Sequence, residues 1–507
     1  MKKSSKHSKS NGKSTSTVLA EMKDPALSVM CPRCSVFPGK MCVHTKGKSK
    51  GHKCLPHEER IRLSKVQVST ETAAKIASIG KSSLVPVFEK PDPKAKLTTE
   101  QKNVVDLIIE KIEAQGKHAT FVSPVTVGPI ISTYRFFPLK KTKVAHIEAM
   151  SKDFAVALGA ETIVVKRMPG ESAIGVFVPN KIKTIVEYEQ TLPNVAQYMA
   201  EPTKDGHKKI PINLGITSNG DPFVDDLTQQ PHMLIAGTTM GGKSTLLHGV
   251  VTTMANSLTR DELQLIISDT KGVEFADFTT LPHLRNGEKS ITKNWADTVM
   301  ELDWACKESE RRLSQFATFP GVKNIHHYNA KAAKTPGMRK MCYVVIVIDE
   351  LADLIGPARD RSEAKLNSDK LSTLASRSRA AGIHIIASTQ RPDVKLIKGQ
   401  IKANLPTRLS FRLPSSQDSR TILNTKGAEN LISQGDMFYT SSTSPELKRL
   451  HAPLITSEEI SKVLASVLLR HQEAEKMKDQ VQEEMSERQA IQEADVKSSA
   501  FLSSYRQ

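Results

Sequence analysis

The sequence predicts an α/β protein built on a parallel sheet with helices on both faces, preceded by a small α/β unit. Three observations lead there. Apolar runs at Met233–Ala236, Leu263–Ser268, Tyr343–Ile348 and Gly382–Ser388 alternate with helical segments. Such continuous runs suit central strands covered on both faces, and their alternation with helices implies parallel pairing. Between the first run and a helical stretch from Thr245 to Val250, Gly237–Ser244 reads G-x-x-x-x-G-K-S. Ahead of all this, residues 98–205 carry shorter helix and strand patterns.

The 507 residues suffice for two to four domains and carry a net charge of +18. Residues 1–70 hold fifteen Lys and Arg against four Asp and Glu. A segment so basic favours a polyanion through phosphate neutralisation and counterion release. No stretch reaches the roughly 18–20 apolar residues that span a bilayer. The basic start is not followed by an apolar segment of the secretory kind. The expectation is a cytoplasmic protein that does not enter a membrane.

Residues 1–28 read as a basic arm. Within 29–65, Cys31 and Cys34 form a C-x₂-C knuckle, followed by Cys42 and His57. Three thiolates and an imidazole complete a tetrahedral Zn²⁺ site. His44, His52 and Cys54 compete with His57 for the fourth position. Few apolar residues lie here, so metal would supply much of the folding free energy. The segment resembles the small zinc-finger modules of phage-type DNA-binding proteins. The resemblance rests on Cys31-Pro32-Arg33-Cys34, Pro38-Gly39, Cys42, and His57 with Arg60. Residues 66–97, rich in Ser and Lys with Pro86, Pro91 and Pro93, read as a linker.

From Thr98 the chain becomes globular. Thr98–Ala114 carries a helical apolar stripe, residues 119–138 read as two strands, and Val144–Leu158 as a helix. Thr162–Val178 reads as a hairpin turned at Pro169-Gly170. The larger domain spans 206–455, with a further strand at Leu409–Leu413. Residues 456–507 form a helical tail opened by a capping box, Thr456-Ser-Glu-Glu459, with Ile460, Val463, Leu464, Val467 and Leu468 on one face.

Two motifs carry chemistry. Gly237, Thr238, Thr239, Met240, Gly241, Gly242, Lys243, Ser244 and Thr245 form a loop whose amides and helix N-terminus suit phosphate. Lys243 would reach the β- and γ-phosphates of ATP, and Ser244 would hold Mg²⁺. The run Tyr343–Ile348 ends in Asp349-Glu350, where α/β sheets bind ligands. Asp349 would support Mg²⁺, and Glu350 would orient and deprotonate the attacking water.

Together several stretches resemble the FtsK/SpoIIIE family of DNA translocases. They are Pro231–Ser244, Asp349-Glu-Leu-Ala-Asp353, Arg379-Ala-Ala-Gly-Ile-His384, Ala387-Ser-Thr-Gln-Arg-Pro392, Ile401–Arg408, Asp418–Leu423 and Gly435-Asp-Met437. The resemblance implies a RecA-like ATPase domain that assembles as a hexameric ring around double-stranded DNA, with 98–205 as a ring-stacking domain. It implies that Gln390 senses the γ-phosphate, and that Arg408 or Arg420 reaches a neighbour's ATP or forms a bond within its own subunit. It also makes Arg377, Arg379, Lys395, Lys398 and Lys402 candidate contacts to the DNA backbone. Met240-Gly241 stands where the family usually has Gly-Ser. The lack of membrane helices and of a winged-helix module points to a stand-alone, phage- or mobile-element-like motor. The rival readings are a secretion-type ring ATPase that moves protein, and a DNA-binding protein with a weak ATPase.

Overall fold

The computed structural model describes residues 42–43, 53–54 and 96–504, apart from 140–141, 169–170, 204, 357–360, 391, 395–396, 398 and 433. The chain divides into two units, Met1–Lys81 and Ser82–Gln507. In the first, β1 (Cys42–Val43) pairs antiparallel with β2 (Lys53–Cys54), which sets Cys42 opposite Cys54. Cys31, Cys34 and His57 lie outside the described residues, and no group of metal-ligating side chains occurs among the described ones.

The second unit opens with the helix Thr99–Ala114. Thr98 accepts from the Gln101 amide at 3.2 Å while the Gln101 side chain accepts from the Thr98 amide at 3.0 Å, a reciprocal cap. Its stripe Val105, Ile108 and Ile112 packs on one face of an antiparallel sheet. That sheet comprises β3 (Ala119–Val127), β4 (Ile131–Pro138), β5 (Val164–Arg167) and β6 (Ile174–Pro179), in the order β3-β4-β6-β5. The expected hairpin is therefore β5–β6, with its turn residues 169–170 outside the described set. The expected single helix over Val144–Leu158 is two, Val144–Ala149 and Ser151–Ala157. Met150 breaks it with a non-helical ψ of 6°, and Ile147, Met150 and Phe154 all reach the core across the break.

The helix Tyr188–Ala200 leads into the larger domain, whose strands are β7 (Pro211–Thr217), β8 (Pro222–Asp226), β9 (His232–Ala236), β10 (Leu263–Ser268), β11 (Arg285–Glu288), β12 (Ile291–Thr292), β13 (Tyr343–Ile348), β14 (Ile383–Thr389), β15 (Thr407–Ser410), β16 (Asp436–Thr440) and β17 (Lys448–His451). All but β11 join one sheet in the order β12-β10-β13-β14-β9-β15-β16-β17-β7-β8. Pairing is parallel from β12 to β15. Beyond β15 it is antiparallel, so the expected parallel sheet is a mixed one. The segment before the phosphate loop supplies the far edge, and short connections there allow hairpin-type pairing, whereas the parallel half needs helical crossovers.

Strand β13 shows how the core is divided. Val345 and Val347 face one apolar layer with Leu246, Val250 and Met254 of the helix Lys243–Ser257. Val344, Ile346 and Ile348 face the other, with Leu302 of the helix Trp295–Ala317 and Leu371 and Leu374 of the helix Arg361–Arg377. Both faces of a period-2 strand are buried, which is why its sequence is continuously apolar. The small sheet packs on this second layer through Ile131, Val164 and Phe177.

The strand expected over Leu409–Leu413 stops at Ser410. Phe411 still donates its amide to Ala236 O at 2.8 Å, then its ring turns under the phosphate loop. The tail is a helix, Ser457–Ser504, capped as expected: Thr456 Oγ1 accepts from the Glu459 amide, and Glu459 Oε2 accepts from the Thr456 amide. Ile460, Val463, Leu464 and Val467 are buried and Leu468 half-buried. Arg470 donates to Asn256 O at 3.1 Å and Lys478 pairs with Asp261 at 2.6 Å, so docking continues past the apolar stripe. No helix among the described residues is long and apolar enough to cross a membrane.

Candidate nucleotide-binding and catalytic site

Strand β14 lies between β9 and β13. The carboxyl ends of three neighbouring parallel strands therefore converge, and each carries a motif onward. Ala236 leads into the phosphate loop, Ile348 into Asp349-Glu350, and Thr389 into Gln390. This is the edge at which α/β sheets take ligands.

The loop is a cradle that side chains would fill. A Cβ on Gly237 would stand 2.8 Å from Phe411 Cβ, and one on Gly241 would stand 3.0 Å from the Thr238 carbonyl. Gly242 has φ +107° and caps the helix Lys243–Ser257, a conformation that favours glycine. Met240 also sits in the left-handed region, at φ +64°, with its side chain 90% exposed. Such a conformation costs about 1–3 kcal/mol for a residue with a Cβ. Thr238 is tied to the Arg412 carbonyl through its amide at 3.2 Å. Ser244 and Thr245 lie half-buried on the first helical turn.

Lys243 is buried. Its ammonium donates to Asp349 Oδ1 at 2.7 Å, to the Asp349 carbonyl at 2.9 Å and to Ser388 Oγ at 3.0 Å. Ser388 in turn donates to that carbonyl. The second carboxylate oxygen of Asp349, Oδ2, is buried with no hydrogen-bond partner among the described residues. A buried carboxylate oxygen without a partner, together with the hydroxyl of Ser244 on the residue after Lys243, is the donor chemistry that a hard divalent cation requires. Asp349 and Ser244 thus fit Mg²⁺.

Glu350 is 7% exposed and held from three sides. Its Oε1 accepts from Thr389 Oγ1 at 2.7 Å and from the Ala352 amide at 3.1 Å, and its Oε2 accepts from the Gln390 amide at 2.9 Å. The Gln390 side chain receives the Thr239 hydroxyl at 3.4 Å, joining the third strand end to the phosphate loop. The structure thus brings Gly237–Thr245, Asp349, Glu350 and Gln390 together.

Sequence reasoning assigned no role to Ser388, Thr389 or Phe411, which complete this site. The signal was present: β14 changes from apolar residues to hydroxyls in its last two positions, and a buried hydroxyl needs a partner.

The other candidates among the described residues make their contacts elsewhere. Arg408 donates to the Lys402 carbonyl at 2.9 Å and, more weakly, to that of Ile422, and burial lowers its pKa. Its Nε is buried without a partner among the described residues. Arg420 is exposed on the helix Ser416–Leu423. Arg377 and Arg379 are exposed and line a cleft of about 500 Å³ with His207, Lys323 and His326. Tyr343 and His384, near the starts of β13 and β14, also line it, so this cleft opens at the sheet edge opposite the phosphate loop. Lys402 is half-buried on the helix Gly399–Asn404, its ammonium pKa lowered by burial and then by Arg408. Lys395 and Lys398 lie outside the described residues.

Comparison with known proteins gives concordant findings. Residues 195–394 match the model of the FtsK/SpoIIIE family, and residues 85–180 match that of the FtsK alpha domain. The chain is 36% identical over 338 residues to a DNA translocase FtsK of Helicobacter pylori, covering 66% of this chain and 38% of that protein. It is 34% identical over 369 residues to DNA translocase SftA of Bacillus subtilis, covering 73% and 37%. With the DNA translocase FtsK of Rickettsia prowazekii it shares 31% over 415 residues, covering 75% and 54%. The chain thus spans between about two fifths and half the length of these relatives. Among solved structures it is similar to the pCW3 conjugation coupling protein TcpA, at 22% identity and a TM-score of 0.48, covering 71% of this chain and 98% of that one.

Proposed function

We propose, from the match of residues 195–394 to the FtsK/SpoIIIE family model, that the chain is a P-loop ATPase of that kind that couples ATP hydrolysis to movement along double-stranded DNA. The observation that carries the reading is the convergence of Lys243, Asp349, Glu350 and Gln390 on one sheet edge. Lys243, held at this edge by Asp349 and Ser388, would donate to the β- and γ-phosphates of ATP. Asp349 and Ser244 would hold Mg²⁺, which would supply charge neutralisation. Glu350 orients the attacking water and accepts its proton, and Gln390 reads the γ-phosphate.

The relatives named as DNA translocases, together with the basic composition, support duplex DNA as the track. Backbone contacts carry no sequence information, which suits a motor that crosses any sequence. Arg377, Arg379, Lys395, Lys398 and Lys402 are the proposed contacts. A homo-oligomeric ring, hexameric in this reading, would let Arg408 or Arg420 act on a neighbour's ATP. In this reading the motor works in the cytoplasm in a phage- or mobile-element-like form, with the cysteine module as its DNA-binding accessory. That module would hold Zn²⁺ through Cys31, Cys34, Cys42 and either His57 or a competitor; β1–β2 pairing sets Cys54 opposite Cys42. Native protein purified without chelators and carrying no stoichiometric zinc would refute the metal.

The test of the motor is steady-state ATP hydrolysis with and without long duplex DNA, with Glu350→Gln as control. Strong stimulation by duplex, abolished in Glu350→Gln while ATP and DNA still bind, is the expected result. Hydrolysis indifferent to duplex would favour the protein-moving reading. No hydrolysis at all would leave a binding protein.

A further inference from the structure

Thr389 is buried at the end of β14, and its hydroxyl donates to Glu350 Oε1 at 2.7 Å. A carboxylate offers about four acceptor sites. In Glu350 at least three are taken: two on Oε1, by Thr389 and the Ala352 amide, and one on Oε2, by the Gln390 amide. A general base needs a lone pair directed at the water it deprotonates. The described bonds leave one acceptor site, on Oε2, for that water, and fix the direction of that site by holding the carboxylate against its own helix and the neighbouring strand. Two of the three donors come from one dipeptide, Thr389-Gln390. The same dipeptide touches the phosphate loop through the Gln390 side chain.

We propose that Thr389 is a positioning residue whose hydroxyl restrains the direction of the Glu350 carboxylate, and that displacement of the β14 end when duplex DNA engages the motor releases the carboxylate for catalysis. Resting on the ATPase reading above, this assigns that site its off-switch. Removing the hydroxyl without changing side-chain volume should free the base when no DNA is present.

The test compares the full chain with Thr389→Val and Thr389→Ser, measuring kcat and KM for ATP with and without duplex DNA, alongside thermal melting. The expected result is that Thr389→Val hydrolyses ATP about tenfold faster than wild type without DNA, the weight of one hydrogen bond to a charged group. KM stays unchanged, duplex stimulation shrinks, and Thr389→Ser restores wild-type behaviour. A Thr389→Val variant with kcat lowered equally in both conditions would show that the hydroxyl aims the base productively, and overturns the proposal. So does a variant indistinguishable from wild type. Should the valine variant not fold, Thr389→Cys, of similar size and a much weaker donor, gives the same comparison. The DNA-free comparison stands apart from the motor reading. If duplex fails to stimulate wild type, translocation falls, while acceleration in Thr389→Val still supports the restraint and its absence still overturns it.

Discussion

Lys243 shows how a binding group is kept ready. The ammonium would be costly to bury alone, and it takes Asp349 as partner at 2.7 Å, with Ser388 filling a further donor site. Its removal therefore has two consequences. Lys243→Ala should abolish ATP binding, and it should also destabilise the fold by about 3–5 kcal/mol, because Asp349 is left as an unpaired buried carboxylate. Calorimetric titration with ATP and urea unfolding of the same sample measure the two effects. A variant that binds ATP normally removes Lys243 from the site. One that loses binding at undiminished stability shows that the described pair with Asp349 contributes nothing to folding.

Strand ends and helix caps place these residues. The helix Lys243–Ser257 is anchored from behind by the C-terminal helix, whose Ile460, Val463, Leu464 and Val467 join the core layer holding Leu246 and Val250. The phosphate loop is thus backed by chain more than two hundred residues away in sequence. Leu464→Ala should cost about 2–5 kcal/mol as a buried large-to-small change. Thr456→Ala, which only removes the cap, should cost about 1 kcal/mol. Urea denaturation ranks them. Equal effects, or a larger one at Thr456, would mean that the helix is held by its cap rather than by its apolar face.

Over the whole molecule, burial keeps several imidazoles neutral. His384, His283 and His451 have pKa values lowered to about 4, and His232 to about 3, in each case chiefly because burial penalises the charged ring. The unfolded chain, with histidines near 6.5, binds more protons than the folded one between pH 6.5 and about 4. Stability should therefore fall as pH drops through that window. The urea midpoint should be lower at about pH 5.5 than at about pH 7.5, above the range where carboxylates titrate. A midpoint that is unchanged or rises at the lower pH would contradict neutral burial of these rings.

The sequence by itself determined what local pattern can determine. Gly237–Ser244 between a strand and a helix, the apolar run into Asp349-Glu350, and the Thr456–Glu459 cap are contiguous signals, and the structure forms each where the pattern lies. Tertiary structure alone decided which strand ends meet. By sequence β14 is an apolar run leading to Gln390, yet its insertion between β9 and β13 makes Ser388 and Thr389 the hydroxyls that hold Asp349 and Glu350. It also placed Phe411 under the phosphate loop, turned the far half of the sheet antiparallel, and broke the helix at Met150 so that three apolar side chains reach one core. Periodicity reports which face of an element is buried, but strand order and the partner of a buried hydroxyl depend on residues distant in the chain. Those pairings are settled only when the whole core closes.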